Sequence, residues 1–481
     1  MAERCDVVII GARLAGSCAA AHLARAGLKV VVLDRSRFPS DQMSTHLLFP
    51  EGVNELRLMG ALDGILASNP TRSPWLQLCA GNAVLHEQWR PSGPIDYCLC
   101  VPRTIQDVEL VKAARAEGAD VRERHRLVEV LWRGGRASGV RYADREGIQH
   151  DIEASLVLGA DGRRSSMAAQ LGVFAPYRAS RNGRGLVFRY GTDPAGGTRE
   201  GSTIYQWRDG DSIGMLFPSA PAPKVLLLFM GRASEAAEAM DDQEGYWQRK
   251  LAEHPGMAAR VAGFTDLTPL RATGDTSAYF RASSGPGWAL IGDAGHFKDP
   301  VTGQGQRDAL WAGRRIAELV APVLDRPGDL DLTLRRWEAE RDRECLHAYH
   351  FANIDTEVRQ VSPVLTEIVR RRGLDTDQHS DISDLFGRAR TLAQVLTVGR
   401  MGTGLIDALR RREISPGQLT RDALGELTVQ LRARRDILSA RFRSTRLVPG
   451  SDHPDPHPPV PSRAIPRIPD PDSHLETAVS A

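Results

Sequence analysis

The stretch "DVVIIGARLAGSCAAAHLARAGLKVVVLDR", residues 6–35, decides the fold of this chain. Residues 7–10 form a continuous apolar run, which is typical of a strand buried on both faces. Residues 15–26 are rich in Ala and Leu and predict a helix that Gly27 ends, and residues 29–33 repeat the apolar strand pattern. The stretch therefore predicts a strand–helix–strand unit of a parallel sheet.

The turn after the first strand carries a nucleotide-binding pattern. Gly11 and Gly16 occupy the first and third glycine positions of GxGxxG, and Asp34 ends the second strand. Free N–H groups at the helix start favour a diphosphate, and Asp34 can bond a ribose 2′-hydroxyl while repelling a 2′-phosphate. The tightly bound nucleotide is therefore predicted to be FAD or NAD. Arg13 replaces the middle glycine, and its guanidinium either turns aside or, as we favour, folds over the phosphates.

Two further strand ends are rich in glycine. In "SLVLGADGRRSS", residues 155–166, an apolar strand runs into Asp161 and Gly162. In "LIGDAGHFKDPVTGQGQRDALWAGRRIAELV", residues 290–320, a strand ends at Gly292-Asp293, and a helix follows Gly303 and Gly305. The glycines leave the N–H groups at the start of that helix uncovered. Helical spacing predicts that one face of the helix is core, with the residues Ala309, Ala312, Gly313, Ile316, Val320 and Val323.

Together the three motifs resemble those of the FAD-dependent flavoprotein monooxygenases of the aromatic-hydroxylase type, over roughly residues 5–180 and 275–340. The resemblance implies an α/β fold: a Rossmann-like FAD-binding domain, an inserted antiparallel β-sheet substrate domain and a C-terminal helical region. The predicted FAD-binding segments are 1–75, 101–178 and 281–337. The predicted substrate-domain segments are 76–100 and 179–280. Residues 338–446 are predicted to be mainly helical, with breaks at Pro363 and Gly373, and the Pro-rich tail 447–481 is predicted to be disordered.

The resemblance also implies which residues meet the cofactor. Arg103, in "CVPRTIQDVEL", would reach the flavin side of FAD from a helix start, and Asp161 would lie near FAD and a transient nicotinamide cofactor. Asp293 would bond the ribityl chain, Pro300 would lie beside the flavin ring, and the amides after Gly305 would meet the flavin pyrimidine. The predicted cofactor-binding residues are Gly11, Ala12, Arg13, Gly16, Asp34, Arg35, Arg103, Asp161, Gly162, Gly292, Asp293, Gly303, Gly305 and Gln306.

Pro300 and His46 are the candidate catalytic residues. His46 follows Ser44 and Thr45 in a loop that, by the resemblance, approaches the flavin, and it is given no acid or base role. Residues 178–281 alternate polar and apolar positions as antiparallel strands do. The candidate pocket-wall residues of this segment are Trp207, Met215, Phe217 and Phe229.

The activity implied is monooxygenation. NAD(P)H would reduce FAD, O₂ would add to the flavin, and the resulting hydroperoxide would oxygenate a small aromatic or polyketide-like substrate. A reductase of alkene or isoprenoid substrates, a flavin halogenase and a non-catalytic flavin-fold binding protein are the alternatives. Halogenases and reductases carry tryptophan signatures such as WxWxIP, whereas Trp207 is followed by Arg-Asp-Gly. NADPH and NADH both fit, as do a monomer and a homodimer.

Composition limits the partners. The 481 residues carry a net charge of +2, and 42% are hydrophobic, so neither nucleic acid nor a membrane is an expected partner. No signal peptide is recognised, and the six cysteines form no CxxC pair, so a cytoplasmic location with reduced thiols is expected. Cys345, His347 and His350 share a predicted helix without a carboxylate, so no metal site is expected.

Overall fold

The computed structural model describes residues 3–41, 43–44, 46–180, 183–374 and 382–411, together with residues 417, 431, 433, 435, 437 and 438. The expectation for Thr45 lies outside the described residues. The same holds for the tail 447–481 and for most of residues 412–446.

Strands and helices are mixed as far as Phe297, and the described elements from Gly305 onward are helical. The strands are β1 (Glu3–Ile10), β2 (Val30–Asp34), β3 (Leu47–Leu48), β4 (Trp75–Ala80), β5 (Ala83–Gln88), β6 (Leu99–Cys100), β7 (Asp120–Glu123), β8 (Arg126–Arg133), β9 (Arg136–Ala143), β10 (Gln149–Gly159), β11 (Arg178–Ala179), β12 (Leu186–Thr192), β13 (Thr203–Asp209), β14 (Ser212–Pro218), β15 (Lys224–Met230), β16 (Arg271–Thr273), β17 (Tyr279–Phe280), β18 (Ser284–Gly285), β19 (Trp288–Leu290) and β20 (His296–Phe297). The helices are α1 (Leu14–Arg25), α2 (Pro50–Met59), α3 (Leu62–Leu66), α4 (Arg103–Ala116), α5 (Ser166–Gln170), α6 (Glu235–Asp241), α7 (Gln243–Glu253), α8 (Pro255–Val261), α9 (Gly305–Val320), α10 (Pro327–Asp355), α11 (Pro363–Gly373), α12 (Ile382–Phe386), α13 (Leu392–Val395) and α14 (Val398–Arg410).

A parallel sheet forms the first layer. Its order is β18-β19-β10-β1-β2-β7, and the neighbours from β19 to β7 are parallel, while β9 pairs antiparallel with β10 and with β8. The three glycine-rich motifs follow β1, β10 and β19, which are adjacent in this order. Because the strands are parallel, their carboxyl ends lie at one edge of the sheet, which brings the motifs together as the sequence predicted.

Two glycines let helices pack closely at that edge. A Cβ on Gly16 would lie 1.8 Å from the carbonyl oxygen of Gly11, so only glycine fits where α1 leaves the turn. A Cβ on Gly313 would lie 2.6 Å from the carbonyl oxygen of Ala15, so α9 packs backbone to backbone against α1. This packing fixes the start of α9 at the edge where the motifs meet. Helix α9 ends at Val320, and the predicted core residue Val323 belongs instead to a short 3₁₀ turn.

The second sheet has the order β16-β12-β15-β14-β13-β4-β5 and is antiparallel except where β13 runs parallel to β4. Its two faces divide the four candidate pocket-wall residues. Met215 and Phe217 face the cluster that contains Phe49. Trp207 and Phe229 pack with α7 on the opposite face, so these two candidates are core residues of that face. Successive side chains of a strand point to opposite faces of the sheet. Both faces of this sheet are covered by apolar residues, so the sequence alone does not show which face lines the pocket.

Helices follow the two sheets. Pro363 begins α11 and Gly373 ends it, at the breaks that the sequence predicted. No helix in the described part of the chain is long and apolar enough to cross a membrane.

Candidate functional site

The turn after β1 is held by Asp34. Gly11 has φ +103°, and a Cβ there would lie 2.5 Å from the carbonyl oxygen of Ala160, in the turn after β10. One carboxylate oxygen of buried Asp34 accepts the Ala12 N–H at 2.7 Å, and the other accepts the Ser36 N–H at 2.7 Å. Asp34 therefore braces the turn from the end of β2, and its remaining lone pairs are available to a ribose.

Arg13 points toward α4. Its guanidinium donates to Asp107 at 2.8 Å and to Ser40 at 2.9 Å, which corresponds to the alternative in which the side chain turns aside. Asp107 is fully buried and also accepts two hydrogen bonds from Arg103, at 2.7 and 2.9 Å. One carboxylate thus holds both arginines. Arg35, another predicted contact residue, is exposed.

The sequence analysis missed Asp107, although a signal was present. Arg103 and Asp107 are four residues apart on α4, the spacing at which helical side chains of opposite charge meet. The link from Arg13 to Asp107 carried no such signal, because 94 residues separate the two in the chain.

The Gly-Asp motif after β19 places an unpaired carboxylate at the site. Gly292 has φ +57°, and a Cβ there would lie 2.8 Å from the Ala15 Cβ, so the turn rests on α1. The Asp293 carboxylate is partly buried and accepts no hydrogen bond from a described residue; only its carbonyl oxygen is bonded, by the Tyr279 hydroxyl at 2.6 Å. Burial raises the pKa of Asp293 to about 6, and the positive charges of Arg163 and Arg103 oppose that rise.

The start of α9 faces open space. Gly303 ends the 3₁₀ turn Pro300–Thr302 with φ +64°. Gly305 begins the helix, and a Cβ built on it would meet no atom within 4 Å. The Gln306 amide nitrogen donates to Ser44 Oγ at 3.2 Å, so this turn is tied to the loop before β3. A 16-residue helix with an uncovered N-terminus favours an anionic or electron-rich ligand group.

Several buried polar atoms around this turn have no hydrogen-bond partner in the described part of the chain. They are both ring nitrogens of His46, both amide atoms of Gln106, Thr302 Oγ1 and Gln306 Oε1. Buried polar groups in folded proteins are nearly always hydrogen-bonded. The atoms belong to the loop before β3, to α4 and to the start of α9, which are segments that the sequence assigned to the flavin side. Together with the space before Gly305, they fit a large polar ligand such as FAD.

Asp161 supports the first turn of α5, whose N-cap residue is Ser165. It accepts hydrogen bonds from the Ser165 and Ser166 hydroxyls at 2.5 and 3.0 Å and from the Met167 N–H at 3.1 Å, at the start of α5. Gly162 has φ +79° and completes the turn. The proximity of Asp161 to a nicotinamide cofactor stays a prediction.

His46 lies between the two sheets. Its backbone has φ +59°, and its fully buried ring stacks on Tyr190 at 6.1 Å and meets Phe188 edge-on at 6.2 Å. Burial, with a smaller contribution from the charge of Arg103, lowers the pKa of His46 to about 3. The imidazole is therefore neutral at physiological pH.

An apolar pocket adjoins the Pro300–Thr302 turn. Its empty space is about 420 Å³. No ionisable side chain belongs to the lining, whose polar members among the described residues are Gln206, Thr302 and the indole of Trp89. The lining consists of Leu47, Phe49, Leu76, Trp89, Ile204, Gln206, Met215, Phe217, Pro300, Val301, Thr302, Gly303 and Phe386. Sequence reasoning identified Met215, Phe217 and Pro300 but missed Trp89 and Phe386, for which no local pattern gave a signal.

Beneath the turn lies a buried ionic cluster. Cys345 comes together with His296 and Asp308, three residue types that can bind metals, within 4.8 Å of one another. The sequence did not predict this grouping. The Lys298 ammonium lies directly against the Asp308 carboxylate, and Arg388 pairs with it at 2.5 Å. These cations already neutralise the carboxylate, so the cluster is arranged as an ion-pair network that ties β20 to α9 and not as a cation site.

Comparison with known proteins identifies the type of chain. A family model described as "FAD binding domain" matches residues 4–343. The digeranylgeranylglycerophospholipid reductase of Methanothrix thermoacetophila is 27% identical over 410 residues, which cover 82% of this chain and 96% of the relative. The aklavinone 12-hydroxylase DnrF of Streptomyces peucetius is 26% identical over 343 residues, covering 66% and 68%. The solved structure of the myxobacterial chondrochloren halogenase CndH superposes with a TM-score of 0.63 at 19% identity, over 85% of this chain and 97% of that one.

Proposed function

This chain belongs to the FAD-binding domain family, and on that premise we propose that it is an NAD(P)H-dependent monooxygenase of a largely apolar small molecule of aromatic or polyketide type. It is an FAD-dependent oxidoreductase with reductase and hydroxylase relatives. The reaction and the substrate are the proposal.

The observation that carries the proposal is the pocket beside the Pro300–Thr302 turn. Its described lining is apolar and has no carboxylate, imidazole or amine. Such walls bind an apolar molecule and keep water away from the reacting atoms. They supply no ionisable group to donate or accept a proton. The protein would therefore orient the substrate and exclude water, and the cofactor would carry out the chemistry.

The residues that would hold FAD follow from the site geometry. The turn at Gly11 and the start of α1 would receive the pyrophosphate, and Asp34 would receive the adenosine ribose. Asp293 would bond ribityl hydroxyls with its unpaired carboxylate, and the start of α9 at Gly305 would meet the flavin ring beside Pro300. When bound, FAD accepts hydride from a nicotinamide cofactor and, once reduced, reacts with O₂.

Reduction of an isoprenoid double bond is the second candidate. The apolar pocket suits such a substrate, and the reductase of Methanothrix thermoacetophila matches this chain over 96% of its own length. Saturating a double bond adds a hydride to one carbon and a proton to the other. The described pocket lining has no ionisable group to deliver that proton, which favours oxygenation.

Product analysis under ¹⁸O₂ tests the proposal. The holoenzyme would be supplied with NADPH or NADH and with a panel of phenols, polyketides and isoprenoid alkenes. The masses of the products would be measured by mass spectrometry. Monooxygenation inserts one ¹⁸O atom into an aromatic or polyketide substrate and stops without O₂. A product that gains two hydrogens without ¹⁸O, formed equally under nitrogen, would establish the reductase instead.

A further inference from the structure

Two buried histidines of this chain have opposite surroundings. His254 is fully buried, and each of its ring nitrogens has a partner: Ser212 Oγ lies 2.7 Å from Nε2, and an Asp209 carboxylate oxygen lies 3.1 Å from Nδ1. His46 is equally buried, but neither of its ring nitrogens has a partner among the described residues. A histidine with a purely structural role is bonded as His254 is, because an unbonded buried polar group destabilises the fold.

The backbone at His46 is also specialised. Its φ of +59° lies in the left-handed region, which His, Asn and Asp enter more readily than other residues with side chains. The His46 N–H donates to Ser44 Oγ at 3.1 Å, and Ser44 Oγ accepts from Gln306 at 3.2 Å. The loop is thus held in the conformation that buries the ring, and it is held by the first turn of α9.

The ring packs against the second sheet, and the loop that carries it is tied to the start of α9. The charge of Arg103 lowers the pKa of both His46 and Asp293. The neighbour Leu47 lines the apolar pocket, but His46 does not. His46 therefore belongs to a loop that is tied to the start of α9, which is assigned to the flavin, and its ring is outside the pocket assigned to the substrate.

We propose that the His46 ring is a hydrogen-bonding ligand of bound FAD. A neutral imidazole offers one N–H donor and one acceptor nitrogen, and the flavin ring system carries both kinds of partner. The Phe188 and Tyr190 rings hold the imidazole in place from the second sheet. This inference rests on FAD binding and is independent of whether the reaction is oxygenation or reduction.

Replacement of His46 by Phe isolates the two nitrogens, because Phe keeps a ring that can pack on Phe188 and Tyr190. We expect His46→Phe to bind FAD about 2- to 13-fold more weakly, the range for loss of a neutral hydrogen bond. The flavin absorption bands and the reduction potential of the bound cofactor should shift with it. Affinity would be measured by titrating the FAD-free full chain, and the potential by equilibration with a reference dye.

The matched control is His254→Phe, which removes a bonded buried histidine from the second sheet. It should lower the melting temperature and leave flavin affinity, absorption and potential unchanged. If His46→Phe gives that same pattern, the proposal is overturned. If His46→Phe does not fold, His46→Asn tolerates the same φ and decides the matter: a shifted flavin spectrum and potential support the proposal, and unchanged values overturn it.

Discussion

Asp293→Asn should act in opposite directions on the FAD-free and FAD-bound protein. The Asp293 carboxylate is partly buried, accepts no hydrogen bond from the described residues and has a pKa raised by burial to about 6. Without FAD, the ionised carboxylate therefore opposes folding at neutral pH. With FAD, the same carboxylate is proposed to accept hydrogen bonds from ribityl hydroxyls. The asparagine side chain has the same shape but carries no charge.

The magnitude follows from the pKa. The carboxyl group titrates near 3.8 when exposed and near 6 in the folded chain. A difference of this size corresponds to roughly 3 kcal/mol, because one pH unit is worth about 1.4 kcal/mol. Since the pKa is raised in the folded state, the penalty is full above pH 6 and absent below about pH 4. The amide also lacks a partner, so we expect the FAD-free variant to gain about 1–3 kcal/mol at pH 7.

The FAD-bound protein should show the reverse. A hydrogen bond to a charged group contributes about 1.5–3 kcal/mol and one to a neutral group about 0.5–1.5 kcal/mol. The difference of about 1–1.5 kcal/mol corresponds to FAD affinity that is roughly 5- to 13-fold weaker. Urea unfolding of the FAD-free chain at pH 7 and pH 4 measures the first effect, and FAD titration followed by flavin fluorescence measures the second.

Asp193→Asn is the matched control. Asp193 is also buried, but it is paired with Arg260 on the second sheet. Its replacement should destabilise the chain and leave FAD affinity unchanged. If Asp293→Asn behaves in the same way as this control, Asp293 is a structural residue of the turn. The assignment of the Gly-Asp motif to FAD would then be wrong.

Three further perturbations test other parts of the site. Gly16→Ala places a Cβ 1.8 Å from the Gly11 carbonyl oxygen, so we expect the free energy of unfolding to fall by about 3 kcal/mol or more. Thermal unfolding would measure that loss, and absorbance should show little FAD in the purified variant. Because protonated Asp293 is a weaker acceptor, FAD affinity should fall roughly three- to sixfold from pH 7 to pH 5 in the parent and stay constant in Asp293→Asn, as titrations at both pH values would show. Met215→Trp fills the pocket, so substrate-induced changes in the flavin spectrum should vanish while FAD affinity is retained; substrate binding with parental affinity would contradict the pocket assignment.

The parts of the fold that could be predicted depend on local patterns. The apolar runs and the glycines predicted the strands and turns of the parallel sheet, because a glycine is required where the backbone takes a positive φ, as at Gly11, or approaches a neighbouring turn closely, as at Gly16. The three motifs were expected to meet one FAD molecule, which requires their parallel strands to end at one edge of the sheet. Gly11, Gly16 and Asp293 were found in this way.

The pocket could not be predicted in the same way. Its lining comes from five separated regions of the chain, and nothing local marks Trp89 or Phe386 as facing the same space. The faces of the second sheet posed a similar difficulty. Trp207 and Met215 lie on neighbouring strands with similar apolar composition, and only the layers that cover the sheet separate them.

The parallel pairing of β4 with β13 has a consequence for how the chain folds. Residues 75–80 pair with residues 203–208, and strands β7 to β10 are all synthesised between them. During synthesis, the hairpin of β4 and β5 therefore stays unpaired until β13 leaves the ribosome. In the same way, β1 stays unpaired with β10 until β10 has been synthesised. Contacts between such distant segments slow folding. Each sheet is completed only after part of the other sheet has been synthesised. We therefore expect the two sheets to unfold together in a single cooperative transition. We also expect a fragment that contains only one of the sheets to expose an unpaired strand edge and to aggregate.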